Sequence, residues 1–233
     1  MTAAQKAGAP RIPPELYEFL RDLRENNDRA WFEQNRDRYE RHVREPLLAF
    51  TEALQEPLAG ISPSILAIAK KQGGSLFRIH RDIRFSKDKS PYKTWAALQF
   101  RHESARDVHA PGYYLHFEPG DSLAAAGIWR PARSELEAVR QALSDEPDRW
   151  ERMKNCVVDD GWEFGGESLK RVPRGYEQDH PMADDLRRKD YIVSVPLTEE
   201  EVCRTDFRDR YIELARSAAP LPEYLCGALG LAW

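Results

Sequence analysis

"FRIHRDIRFSKDKSPYKTWAALQF", residues 77–100, is the stretch on which the fold turns. Upstream of it apolar residues recur at helical spacing. From Leu76 the period falls to two, which marks extended chain with successive side chains on opposite faces. Residues 76–85 and 94–101 are expected to pair as antiparallel strands joined by a loop at 86–93, where Pro91 cannot donate to a ladder. That alternation turns Phe77, Ile79, Ile83 and Phe85 toward a core and Arg78, His80, Asp82 and Arg84 away from it. Arg81 falls on the apolar side, so either a bulge re-aims it between Arg81 and Asp82 or it enters the core with a carboxylate partner.

Downstream, 113–118 and 122–128 continue an antiparallel meander through the turn Pro119-Gly120-Asp121. Toward the N-terminus, Pro13 and Pro14 open a helix with Leu16, Phe19, Leu20 and Leu23 on one face. Asn27 or Asp28 then caps a longer helix whose Trp31, Phe32 and Tyr39 are expected to pack against the sheet; Pro46 either kinks it or starts a further helix through Leu54. Beyond the meander, Ser134 with Glu137 reads as a capping box, and Pro147 opens a helix carrying Trp150 and Met153. Residues 157–180, rich in Gly, Pro and charge, read as a long ordered loop. Tyr191–Val195 alternates like one more strand, Thr198 with Glu201 starts a short helix, and Phe207, Tyr211 and Leu214 belong to another. The expected fold is α+β: a central antiparallel meander sheet flanked by N-terminal and C-terminal helices, with residues 1–12 a loose tail and 13–233 a single domain.

A chain of 233 residues, 41% hydrophobic with six Trp, can bury a substantial core. Its formal charge of -4 gives the whole molecule no pull toward nucleic acid or an anionic membrane. Residues 70–93 nevertheless hold eight cations against two carboxylates, a local +6 that leaves -10 for the rest. Cys156, Cys203 and Cys226 are odd in number and far apart, which fits a reducing cytoplasm better than a disulfide framework or a zinc knuckle. No apolar run is long enough for a signal peptide at the start or for a membrane span elsewhere, so a soluble cytoplasmic protein with no membrane partner is expected.

The cationic stretch is the candidate site. Arg offers a planar fork and Lys a movable point charge, both suited to phosphate or carboxylate. Arg78, Arg81, Asp82, Arg84, Asp88, Lys89, Tyr92 and Lys93 form the candidate ligand-binding set. In it Arg84, Lys89, Lys93 and the Tyr92 hydroxyl present donors while Asp82 and Asp88 hold the arginines. Against this stands bracing, in which Arg81 with Asp82 or Arg84 with Asp88 merely fasten the loop. His80 and Asp82 share a strand face, and His102 and His116 lie on neighbouring strands, but this spacing does not define a metal site. A second basic cluster, Arg171, Arg174, Arg187, Arg188 and Lys189 with His180 nearby, gains interest only if it folds over the first. There is no GxSxG, Walker loop or dinucleotide fingerprint.

The pattern Arg78-x-x-Arg81-Asp82-x-Arg84-Phe85-x-x-Asp88-Lys89-x-x-Tyr92 resembles the signature of the domain-of-unknown-function 2461 family, bacterial and fungal proteins of roughly this length. AWFEQNR, the GYYLHFEPGDS…GIW hairpin, and RVPRGYEQDHP followed by LRRKDYIVS are similar too, so the resemblance covers nearly the whole chain. It implies that the signature residues are a shared feature and brings no activity or cofactor with it. Three functions stay open: a binding module for a phosphate-bearing small molecule or nucleic acid; an enzyme on phosphorylated or carboxylated substrates using Asp82 or Asp88 as acid–base or metal ligand; and a structural or interaction protein. Unpaired Arg84 and Lys89 in an open pocket favour the first two, and fully paired cations the third.

Overall fold

The computed structural model describes residues 10–104 and 109–233. Pro14 sets up α1 (Glu15–Glu25), which buries Leu16, Tyr17, Phe19, Leu20 and Leu23. Asp28 caps α2 (Arg29–Gln34) by accepting from Trp31 N at 2.9 Å. The longer helix expected here breaks at Asn35, giving α3 (Arg36–Tyr39) and a π-helical turn (Glu40–Arg44), and of the two roles open to Pro46 it takes the second, in the first turn of a further helix α4 (Glu45–Ala53). Helix α5 (Gln55–Ala59) and a short strand β1 (Ile65–Leu66) lead to the sheet.

The meander forms as β2 (Ala96–His102), β3 (Gly112–Phe117) and β4 (Ser122–Ile128). After it come α6 (Arg133–Asp145), α7 (Pro147–Asp159), β5 (Glu163–Phe164), α8 (Ala183–Leu186), β6 (Tyr191–Leu197), α9 (Glu199–Val202), α10 (Phe207–Ala218) and α11 (Pro220–Ala228). The six strands lie in the order β1-β2-β3-β4-β6-β5, every neighbouring pair antiparallel. One face, carrying Leu98, Phe100, Leu115, Phe117, Ala124, Ile128 and Val193, is buried against helices in one continuous hydrophobic core. Phe100 meets Tyr211 of α10 there, and Tyr17 of α1 bonds Ser122 at 3.0 Å. On the opposite face Gln99, Tyr114, Ala125 and Ser194 lie side by side across β2, β3, β4 and β6, and none is fully buried.

Several expectations are corrected. Residues 76–85 approach 91–99 antiparallel but do not form a strand. Gln99 N–Ser75 O (2.9 Å) and Phe77 N–Ala97 O (3.0 Å) keep one register; Lys93 N–Ile79 O (2.8 Å) and Arg81 N–Pro91 O (2.9 Å) keep another, two residues displaced. Thr94 and Trp95 absorb the slip as a bulge. Past Arg81 the loop turns on itself: Asp82 Oδ1 accepts from Arg84 N and Asp88 Oδ1 from Ser90 N, side-chain bonds that compete with a ladder. Without the alternation, Phe85 is 95% exposed instead of facing the core, Phe77 and Ile83 are half-buried, and Ile79 alone of the four is buried.

The capping residues before α6 also shift. Glu135, not Glu137, reaches back to Ala132 N (2.7 Å), because the helix starts right after Pro131 and Ala132. Trp31 is only half-buried, its ring 5.7 Å from that of Phe19, and Phe32 stacks on Tyr92 of the loop rather than on the sheet. Residues 1–9 of the expected tail lie outside the described residues, but Ile12 is buried and Arg11 Nε donates to Cys203 O at 2.7 Å, so the chain is anchored before Pro13.

The stretch 157–190 is pinned by two buried carboxylates. Asp185 accepts from Trp150 Nε1, Lys154 Nζ and Arg188 Nε, each at 2.8 Å. Burial pushes its carboxyl up, but these three donors outweigh that and hold it below the usual range. Asp190 accepts from Arg130 N and Glu167 N. Among the described residues no helix is long and apolar enough to cross a membrane.

Candidate functional site: a cationic cleft beside an apolar groove

The bulge at the base of the 77–95 loop places Lys93. Its ammonium lies 5.1 Å over the Phe77 ring and 4.6 Å over the Trp95 ring, at the edge of a cleft of about 530 Å³ lined by Arg24, Asn27, Arg81, Asp88, Lys93 and Trp95 among others. Burial and the neighbouring Arg78 together lower Lys93 to about 8. No carboxylate among the described residues offsets them.

The other candidates are placed differently. Arg81 pairs with Asp88 at the surface, so it neither enters the core nor meets Asp82. Arg84 forms two bonds to Asp82, at 2.9 and 2.7 Å, instead of meeting Asp88, and Lys89 Nζ donates to Ile83 O at 3.0 Å. Arg84 holds Asp82 down at about 2, and Arg81 with Ser90 holds Asp88 lower still. Carboxylates so firmly ionised are poor proton acceptors near neutral pH. Arg78 is exposed beside Lys93. Tyr92, expected as an exposed donor, is buried: it stacks on Phe32 with ring centroids 4.1 Å apart, and the Asn27 side chain clamps its backbone N and O at 3.1 and 3.0 Å. It fastens the loop to α2. The eight candidates therefore divide into two ion pairs, a tied-back lysine, a buried anchor, and two cations, Arg78 and Lys93, that form no ion pair among the described residues, although Arg78 acts on Asp82 at longer range.

The second basic cluster is remote from the first. Its loop joins β5 and β6 at one end of the sheet, while the first cluster adjoins β2, with β3 and β4 between. Arg188 serves Asp185, Arg187 pairs with Asp184 and Lys189 with Glu167. His180 Nδ1 accepts from Met182 N just before α8. His80, His102 and His116 are each engaged separately, and no three metal-ligating side chains converge among the described residues.

One constellation escaped the sequence. Tyr114 and His116 alternate along β3 and Glu118, just past its end, keeps the same spacing: Tyr114 Oη bonds His116 Nδ1 at 2.8 Å, His116 Nε2 bonds Glu118 Oε2 at 3.0 Å, and Arg24 holds the other Glu118 oxygen at 2.9 Å. With Nε2 donating to the carboxylate, Nδ1 is left to accept the tyrosine proton. Burial, with help from Glu118, pushes the Tyr114 phenol above its ordinary value, so it stays neutral. The signal was the Y-x-H-x-E spacing, legible only once the strand face was known to be uncovered.

Tyr114 also walls a groove of about 460 Å³ on this face, whose lining includes Phe77, Trp95, Leu123, Ala125, Trp129 and Ile192. Its floor is low because Gly112 and Gly127 pair across β3 and β4. At Gly127, with φ at +121°, a Cβ would stand 2.0 Å from Tyr191 O, so glycine is obligatory and the depression comes with it. Trp95 borders both the groove and the cationic cleft.

A six-stranded antiparallel sheet with helices on one face and a cation-bearing loop at its open side defines the class. Residues 15–224 match the family described as conserved hypothetical protein (DUF2461), and the chain belongs to that family. A comparison with curated proteins found no match.

Proposed function

We propose that the protein is a binding module for a small anionic ligand, phosphate- or carboxylate-bearing, held at Lys93 in the cleft and not along the whole loop. Lys93 carries the reading: a half-buried ammonium beside Arg78 that forms no ion pair among the described residues, in a cleft whose Asp82 and Asp88 are taken up by Arg84 and Arg81, is a charge that an anion would complete. The pairing of Arg81 and Arg84 supports bracing as the role of those two, and it leaves a compact donor set instead of the extended track that a nucleic-acid backbone needs. Three free cysteines fit a cytoplasmic setting. The test is thermal stability in low salt against phosphate, nucleotides and oligonucleotides. Phosphate or mononucleotides should raise Tm in wild type and fail to do so in Lys93→Met. Stabilisation by oligonucleotides alone would move the reading to nucleic acid, and none by any anion would end it.

An enzymatic reading is supported by one observation, the Tyr114–His116–Glu118 chain, which replaces Asp82 and Asp88 as the acid–base candidate. Hydrolysis of aryl phosphates or esters that vanishes in His116→Gln would establish it.

A further inference from the structure

The cationic cleft and the apolar groove share a wall. Trp95 lines both cavities, and the Lys93 ammonium sits over Trp95 and Phe77, two of the rings that bound the groove. The open face of an antiparallel sheet is ordinarily polar. Here the side chains along the groove are mostly apolar, Ala125, Leu123, Ile192 and the aromatic rings of Tyr114 and Trp129, with Gln99 and Ser194 the polar ones, above a floor lowered at Gly112 and Gly127. Such a recess suits a flat apolar body, and a cation at its end suits an acidic head.

We infer that the ligand is an amphipathic anion, an aromatic or similarly flat apolar body lying in the sheet groove with its phosphate or carboxylate head on Lys93. The inference rests on the anion-binding reading and adds the body to it. Charge complementarity selects the occupant. A purely apolar molecule would leave the Lys93 charge unmet, and a bare anion would leave the groove hydrated. Trp129 at the far side, half-exposed beside Arg130 at 4.7 Å, closes the groove without offering a second anion site as bare as Lys93, because Arg130 already faces Glu167. The Tyr114 hydroxyl donates to His116, so it meets the ligand through its ring and its oxygen lone pair.

The experiment compares four probes by titration calorimetry at low salt: inorganic phosphate, phenyl phosphate, 1-naphthyl phosphate and the neutral 1-naphthalenemethanol. Affinity should rise in the order phosphate, phenyl phosphate, naphthyl phosphate, with at least about tenfold between first and last, a modest return on the apolar area of a fused ring pair. Ala125→Phe, which fills the groove from a position outside the core, should abolish the gain and leave phosphate affinity unchanged; Ile192→Trp provides a second filling variant should the first unfold. Lys93→Met should weaken phosphate and naphthyl phosphate alike.

If phosphate binds through Lys93 but the aryl phosphates bind no tighter, the amphipathic ligand is refuted and the anion site stands. If the aryl gain survives both filling variants, the body does not lie in this groove. If only the neutral alcohol binds, both readings fall. A chain that sediments as a dimer in wild type and as a monomer in Ala125→Phe would make a second copy the occupant and overturn the inference.

Discussion

Lys93 offers the sharpest test of the site, because its charge should cost stability in the absence of ligand. Its ordinary value of 10.5 falls to about 8 in the folded chain, first through burial and then through Arg78. Below pH 8 the amine is protonated whether the chain is folded or not, and the folded state bears the cost of a half-buried cation. Between about 8 and 10.5 the folded chain has released the proton and the unfolded chain has not, so this group makes stability rise with pH across that window. At 1.36 kcal/mol per pH unit the full difference is about 3 kcal/mol, and solvent screening of a half-exposed group brings the expected effect to about 1–2 kcal/mol. Lys93→Met removes the cost at every pH while keeping the stem over Trp95. In urea unfolding followed by tryptophan fluorescence, the variant should therefore be more stable than wild type by about 1–2 kcal/mol at pH 7, and the gap should close by about pH 10.5. The difference between the two proteins is the quantity to measure. Cys226, raised by burial to about 12, titrates in the opposite sense in both and cancels. Phosphate at pH 7 should also close the gap, by stabilising wild type alone. Parallel curves from pH 7 to 10.5, or a variant less stable at pH 7, would refute a depressed and unpartnered lysine.

Other outcomes follow from burial. Tyr92→Ala should cost about 3–5 kcal/mol in the same unfolding assay, as truncation of a buried, stacked aromatic does, because Tyr92 ties the loop to Phe32. Phe85→Ser should change stability by less than about 0.5 kcal/mol, and a larger loss would mean that the ring is buried after all. Asp185→Asn should cost about 3–5 kcal/mol by stranding Lys154 and Arg188 around a buried amide. Asp82→Asn should leave the thermal midpoint near wild type, since its bonded partner Arg84 is exposed beside it.

The order of helices and strands was legible because it depends on local chemistry: prolines at helix starts, Asp28 and Thr198 as caps, and the period-two runs of β2 to β4. The 77–85 segment misled because its charged and apolar residues alternate as in a strand, while Asx-type bonds at Asp82 and Asp88 and the two-residue slip at Thr94–Trp95 decide its path. Neither shows as periodicity. Charge density likewise pointed to the candidate cleft but not to the pairing within it. Whether Arg81 reaches Asp82 or Asp88 depends on how the loop closes, and the half-buried Lys93 stands out only once its neighbours are placed. The groove was invisible for a different reason: it is made of what glycine and alanine lack, on a face whose exposure depends on where distant helices pack.

The sheet order has a consequence for synthesis on the ribosome. β4 pairs with β6, yet 62 residues separate the end of one from the start of the other. At roughly 5–20 residues per second, the free edge of β4 waits about 3–12 s for its partner to be made. Through that interval the nascent chain presents an unpaired, Ala- and Gly-rich strand edge, the kind of edge that pairs with other chains. Its own helices α6 and α7 are the next segments to emerge. A message that paused in the α6–α8 region would lengthen the exposure, so elongation speed across those codons bears on yield, quite apart from the stability of the finished protein.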